Sequence, residues 1–214
     1  MLKYNPILIN DGSPIVIIDT VNSFFNWYYH SLKIYNRARH RDYNCTIKKG
    51  AIELKKLESI FETTFKRGIN NIKLLTNCKN KNIIFAIDCQ RHNIWRNDYL
   101  RDDTNKFLYK TCRNTKTDEG IPHIMKFLYD KLIPKYLPNR RIGVKRAEAD
   151  DIIGILTRMI NSRTPKRSVC IISDDLYFLQ LLDHPTNELY NQRLRRQRDK
   201  YPLDGKIYRE LKIL

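Results

Sequence analysis

The sequence predicts an α/β fold built on a central, mainly parallel sheet flanked by helices. Three short runs, Ile15-Val16-Ile17-Ile18, Ile83-Ile84-Phe85-Ala86-Ile87 and Val169-Cys170-Ile171-Ile172, are apolar throughout, as strands covered on both faces are. Stretches with helical spacing separate them, and strands alternating with helices make parallel sheets. Each run stops at an acid: Asp19, Asp88 and, after Ser173, Asp174-Asp175.

After Asp19, residues 24–34 carry aromatic and apolar side chains at roughly helical spacing. Residues 51–76 form an amphipathic helix, with Ile52, Leu54, Leu57, Ile60, Phe61 and Phe65 recurring at threes and fours. From Gln90 to Lys116 the chain is polar and basic with interleaved aromatics. Residues 121–136 read as helix, and Ala149–Ile160 as a helix with acids in its first turn. Phe178–Leu182 begins another helix. Residues 187–214 form a basic extension with room for a strand or hairpin. The expected organisation is a core over 1–186, with a polar, basic insertion at about 90–118, followed by that extension.

Composition narrows the function. At 42% hydrophobic and 11% aromatic the chain has material for a core, which argues against wholesale disorder. No apolar run approaches the roughly 20 residues that span a bilayer, and the first residues lack a secretory signal pattern. Five cysteines at wide spacing, with no C-x-x-C, read as reduced thiols. An intracellular location is the expectation, in cytoplasm, nucleus or a viral replication site. The five histidines show no metal spacing. A net charge of +17 on 214 residues predicts attraction to a polyanion, of which nucleic acid is the commonest in cells.

In parallel sheets, sites lie beyond the carboxyl ends of the strands. Asp19, Asp88 and Asp175 stand at three such ends, and Glu148-Ala149-Asp150-Asp151 opens a helix. Any one of these acids reads equally well as a turn residue or helix cap. Four clusters in one fold are harder to assign to capping. Gathered carboxylates repel, and hard oxygen donors without His or Cys favour Mg²⁺ or Mn²⁺. In a basic protein that combination points to phosphodiester chemistry, with one ion or two about 4 Å apart. Between Gln90 and Lys116, Arg91, Arg96, Arg101 and Lys106 are placed to meet phosphates, and Trp95 either to stack on a base or to pack against the domain. Lys110 and Arg113, three apart, share a face if that stretch is helical. Lys145, Arg146, Arg193, Arg195 and Arg196 are further candidate nucleic-acid contacts.

Lys145-Arg146-Ala147-Glu148-Ala149-Asp150-Asp151-Ile152-Ile153-Gly154 and Ile171-Ile172-Ser173-Asp174-Asp175-Leu176-Tyr177-Phe178-Leu179-Gln180-Leu181-Leu182 resemble motifs of the 5′ nuclease superfamily. That superfamily includes flap endonucleases, phage 5′ exonucleases of the ribonuclease H type and the 5′ nuclease domain of bacterial DNA polymerase I. Ile17-Ile18-Asp19, and Asp88 followed by Trp95-Arg96 and Tyr109-Lys110-x-x-Arg113, are similar to its remaining motifs. The resemblance covers roughly residues 13–190. It implies a PIN-like core with a helical arch, a metal site of Asp19, Asp88, Glu148, Asp150 and Asp175, and a further acid at Asp151. It also implies catalytic cations at Lys110 and Arg113 over the reacting phosphate. The implied activity is Mg²⁺-dependent 5′-3′ exonuclease or flap endonuclease cleavage of DNA or RNA–DNA with free 5′ ends, flaps or nicks. Tyr177 stands where the family carries a second aspartate, and Asp174 stands in the usual glycine position as a further candidate ligand. No Gly-rich hairpin pattern follows Asp175, so the family's helix–hairpin–helix module is expected to be absent or supplied by a partner chain. Two other readings remain: a nucleic-acid-binding or assembly protein with weakened catalysis, and a PIN-like ribonuclease.

Overall fold

A computed structural model describes residues 12–38, 51–98, 120–163 and 167–200. Strands β1 (Ile15–Asp19), β2 (Ile83–Ile87), β3 (Arg141–Gly143), β4 (Val169–Ile172) and β5 (Asn187–Tyr190) form one sheet in the order β3-β2-β1-β4-β5. Every pairing is parallel. Alternate residues point to opposite faces, and both faces are covered. Val16 and Ile18 join one core cluster while Ile15 and Ile17 join the other. This is why the strand runs are apolar throughout rather than alternating.

The first face is covered by α1 (Thr20–Ala38), α2 (Ala51–Thr76) and α3 (Gly120–Phe127). Phe24, Tyr28, Phe61 and Phe65 are fully buried there. Gly68 lets α1 and α2 approach: a Cβ on it would stand 2.5 Å from the buried Trp27 indole nitrogen. α3 runs on through a π turn, Leu128–Leu132, into α4 (Ile133–Tyr136), with Pro134 near the start of α4. A proline removes a helical donor and crowds the preceding turn, and the wider π turn accommodates it. The second face is covered by α5 (Ala149–Arg163) and a 3-10 helix, Leu176–Leu181. Ile152, Ile153 and Ile160 face the sheet at helical spacing. A last short helix, α6 (Gln197–Lys200), follows β5. Among the described residues no helix is long and apolar enough to cross a membrane.

Several elements differ from the sequence reading. α1 starts at Thr20 rather than near residue 24, because Asp19 Oδ1 accepts the Asn22 N–H at 3.2 Å and caps it. The helix expected from Phe178 is a 3-10 turn capped by Asp175, whose carboxylate accepts the Tyr177 N–H at 2.8 Å. β3 has three residues, two of them exposed, and too little apolar character to register in sequence. β5 lies within the segment read as an extension, yet it pairs with β4 from Asn187 to Tyr190. A boundary at residue 186 therefore severs a sheet strand. Its first residue, Asn187, is buried and donates to Leu181 O at 2.7 Å. A buried polar residue opening the strand hid it. The arch segment beyond Asp98, with Arg101, Lys106, Lys110 and Arg113, lies outside the described residues.

Candidate active site

The chain adds β2 and β3 on one side of β1 and β4 and β5 on the other. The order therefore reverses between β1 and β4, and crevices open at such switch points beyond the carboxyl ends. Asp19, at the end of β1, sits at this point. It is 7% exposed, and the Ser173 hydroxyl donates to its Oδ2 at 2.9 Å from the end of β4. The Thr20 hydroxyl donates to Ala86 O at 2.6 Å and ties β1 to the end of β2. Burial pushes the Asp19 carboxyl up to about 6, and the charges of Asp88 and Asp175 push it the same way. The hydrogen bonds from Asn22 and Ser173 oppose them. Two carboxyl groups distant from Asp19 in sequence thus act on it at one edge.

Asp88 lies one residue beyond β2, and its Oδ1 accepts the Ala149 N–H at 2.6 Å. An acid at a helix N-terminus satisfies an orphan donor and favours the helix dipole. The contact brings the first turn of α5, with Asp150, beside Asp88. Cys89 N–H donates to Ala147 O at 3.0 Å, and Trp95 N–H to Arg146 O at 2.9 Å, so residues 88–95 are laced onto the turn before α5. Asp151 caps α5 by accepting the Glu148 N–H at 3.0 Å, which is the capping alternative realised. Glu148, 2% exposed, faces Arg96, whose Nη1 donates to its Oε2 at 2.7 Å. Burial alone would raise the Asp151 carboxyl. The Arg96 guanidinium, the Glu148 N–H and the Trp95 indole more than offset it, so Asp151 is held below the usual carboxylate range.

The other candidates divide. Asp174 is exposed and accepts the Gln192 N–H at 3.0 Å, while its own N–H donates to Asn22 Oδ1 at 3.2 Å. Tyr177 is 53% exposed. Trp95 and Arg96, read as nucleic-acid contacts, engage acids of the site: the indole N–H donates to Asp151 at 3.0 Å and the guanidinium pairs with Glu148 and Asp151. Carboxylates within reach in a half-buried setting engage these donors. Arg146 pairs with Asp98, and Arg196 pairs with Glu188. Lys145, Arg193 and Arg195 are exposed. Arg91 opens a 3-10 turn, Arg91–Asn93.

Asn22, Gln192 and Tyr129 went unforeseen. Gln192 Nε2 donates to Asn22 Oδ1 at 2.8 Å and to Ser23 Oγ at 2.9 Å, joining the turn after β5 to the start of α1. Only the position of Asn22, three residues after a strand-ending aspartate, could have marked it as a capping partner. Tyr129 lies in the π turn, where burial pushes its hydroxyl up to about 12 and the charges of Asp88 and Asp19 add to the effect. The turn after β5 is tied by hydrogen bonds: Asn191 Oδ1 accepts the N–H groups of Arg193 and Arg195 at 3.0 and 2.9 Å. An open groove of about 840 Å³ runs beside it, lined by Asn26, Asp174, Arg193, Arg195 and Lys200 among others.

Among the described residues, no three carboxylate, imidazole or thiol groups converge closely enough to hold a metal ion as they stand. The donor set nevertheless fits a hard divalent cation in kind. Asp19, Asp88 and Asp175 offer carboxylate oxygens, and their mutual repulsion at a buried edge is what a cation would relieve.

A five-stranded parallel sheet between helical layers, with acids at its switch point, has the fold of 5′ nucleases. The chain belongs to the family of 5′-3′ exonuclease N-terminal resolvase-like domains, whose model matches residues 14–204. Among solved structures it is similar to the T5 D15 protein, crystallised with metal ions, with a TM-score of 0.56 and 16% sequence identity. The match covers 88% of this chain and 60% of that one, so the chain spans only part of that protein's length. No curated protein matches the sequence.

Proposed function

We propose that this domain is a divalent-metal-dependent 5′ nuclease that hydrolyses phosphodiester bonds in DNA, or in RNA paired to DNA, at free 5′ ends, flaps or nicks. One observation carries the reading: Ser173 Oγ donates to Asp19 Oδ2 at 2.9 Å and accepts the Asp175 N–H at 3.1 Å, joining two acids at the strand end next to β2 and Asp88, inside a chain of net charge +17. Asp19, Asp88, Asp150 and Asp175 would hold Mg²⁺ or Mn²⁺, one ion or two, which when bound supplies an activated water and charge neutralisation at the phosphate. Ser173 and Asn22 orient Asp19, and the α5 N-terminus orients Asp88. Lys110 and Arg113 would face the negative charge that develops on the phosphate. Arg193 and Arg195, held on a hydrogen-bonded turn, would contact the backbone. Phosphate contacts position a substrate without reading its sequence, so selectivity would rest on shape and ends. The protein would work inside the cell, with a partner chain a candidate source of a duplex-binding module.

The direct test is a 5′-labelled flap duplex incubated with Mg²⁺. Cleavage near the junction that EDTA stops is the expected result, and RNA flaps cut in preference to DNA flaps would favour a PIN-like ribonuclease. Tyr177 favours a second reading, since an exposed tyrosine stands where the family has an acid. A binding protein with weakened catalysis would retain the flap without cutting it at any Mg²⁺ or Mn²⁺ concentration.

Binding should also depend on salt. With about six phosphates neutralised, log affinity should fall against log salt with a slope near −5. Arg193→Ala together with Arg195→Ala should reduce that slope by about 2, at about 0.9 for each phosphate no longer neutralised. Fluorescence anisotropy across a salt series reads both quantities, and an unaltered slope would remove the turn from the interface.

A further inference from the structure

We infer that Arg96 is the resident counter-cation of Glu148 and Asp151: a positioning residue that withholds these two carboxylates from divalent cations and leaves Asp19, Asp88, Asp150 and Asp175 to hold them. The inference deepens the metal-dependent reading above and rests on it.

The geometry is specific. Arg96 Nη1 donates to Glu148 Oε2 at 2.7 Å and to Asp151 Oδ2 at 3.1 Å, and Nη2 donates to Asp151 Oδ1 at 2.8 Å. The guanidinium thus grips Asp151 through both oxygens, the fork geometry that suits arginine and no other cationic side chain. Asp151 Oδ2 also accepts the Trp95 indole N–H and the Glu148 backbone N–H, each at 3.0 Å. Three donors on one oxygen leave no lone pair for a metal ion. The guanidinium lies over the Trp95 ring, 4.5 Å from its centroid, which holds its plane against the acids. Burial adds to the case. The Glu148 side chain is 3% exposed and that of Asp151 17%, and a buried carboxylate without a partner is costly. Arg96 remains charged at any working pH, so loss of its proton does not release the pair.

Removing the guanidinium should hand Glu148 and Asp151 to the metal. Mn²⁺ binding to the intact, metal-free protein, followed by isothermal titration and by electron paramagnetic resonance of the free ion, is the measurement. Arg96→Met, which keeps the apolar stem, should bind Mn²⁺ at least about tenfold tighter, because one positive charge beside the site is gone. Arg96→Lys, which keeps the charge and loses the fork, should fall between. Weaker or unaltered binding in Arg96→Met would overturn the inference, because it would make these acids ligands that Arg96 orders. Should Arg96→Met unfold without metal, its melting temperature against Mn²⁺ concentration reads the same gain. If the unaltered protein binds no Mn²⁺ the nuclease reading fails, whereas new binding in Arg96→Met alone would still uphold the role of Arg96. Binding in neither would overturn both.

Discussion

Asp19→Asn is expected to abolish cleavage and at the same time to stabilise the cation-free protein at neutral pH. The carboxylate would be a metal donor at the switch point, and losing it should remove several kcal/mol of transition-state stabilisation, a fall of at least about 10³-fold in rate. Stability moves the other way. The folded carboxyl holds its proton up to about 6, against 3.8 for an unperturbed group. The stability this group contributes is therefore fully present below pH 3.8 and is lost as pH rises through about 6. Ionising it at pH 7.5 without a cation costs about 3 kcal/mol. Asparagine avoids that cost and can keep both hydrogen bonds. Its oxygen can accept the Asn22 N–H, and its amide can donate to Ser173 Oγ, which already accepts the Asp175 N–H at 3.1 Å. Melting in EDTA at pH 7.5 should show the variant several degrees higher, with the gap closing toward pH 4. Added Mn²⁺ should raise the unaltered protein and leave the variant nearly unmoved. A variant that is less stable in EDTA would show that Asp19 is not held against its charge.

Phe65→Ala is expected to lower the melting temperature by about 6–20 °C. Phe65 is fully buried and joins three elements. Its ring meets Trp27 of α1 edge-on at 5.4 Å, Phe85 of β2 at 6.2 Å and Tyr136 of α4 at 6.1 Å. Truncating a buried phenylalanine costs about 3–5 kcal/mol through lost burial and the cavity left behind. In a protein of this size each kcal/mol moves the melting temperature by about 2–4 °C. The loss is a large part of the total, which is typically about 5–15 kcal/mol. Because β2 ends just before Asp88, the variant should also bind Mn²⁺ less tightly at a temperature where it stays folded. Calorimetry measures the first effect, and a shift below about 1 kcal/mol would mean that neighbouring rings close the space.

Much of this was legible in the sequence. β2 and β4 match their apolar runs residue for residue, and α2 spans Ala51–Thr76 as its apolar spacing required. The acids also marked where the apolar runs give out: β1 ends on Asp19, β2 one residue before Asp88 and β4 three residues before Asp175. β3 and β5 were not, because edge strands of a parallel sheet need neither full burial nor an apolar run. Asn22 and Gln192 meet across 170 positions, and no local signal marks such a pair.

Sequence alone determined the three central strands, the long helices, the excess of positive charge and the acids available for chemistry, since each follows from local periodicity and composition. Only the tertiary structure decided how those acids are shared: Asp19 buried against Ser173, Asp88 on the first turn of α5, Glu148 and Asp151 turned to Arg96. The reason is that a carboxylate takes whichever donor or cation the folded chain brings nearest, and that competition is settled across distances in sequence that periodicity does not reach.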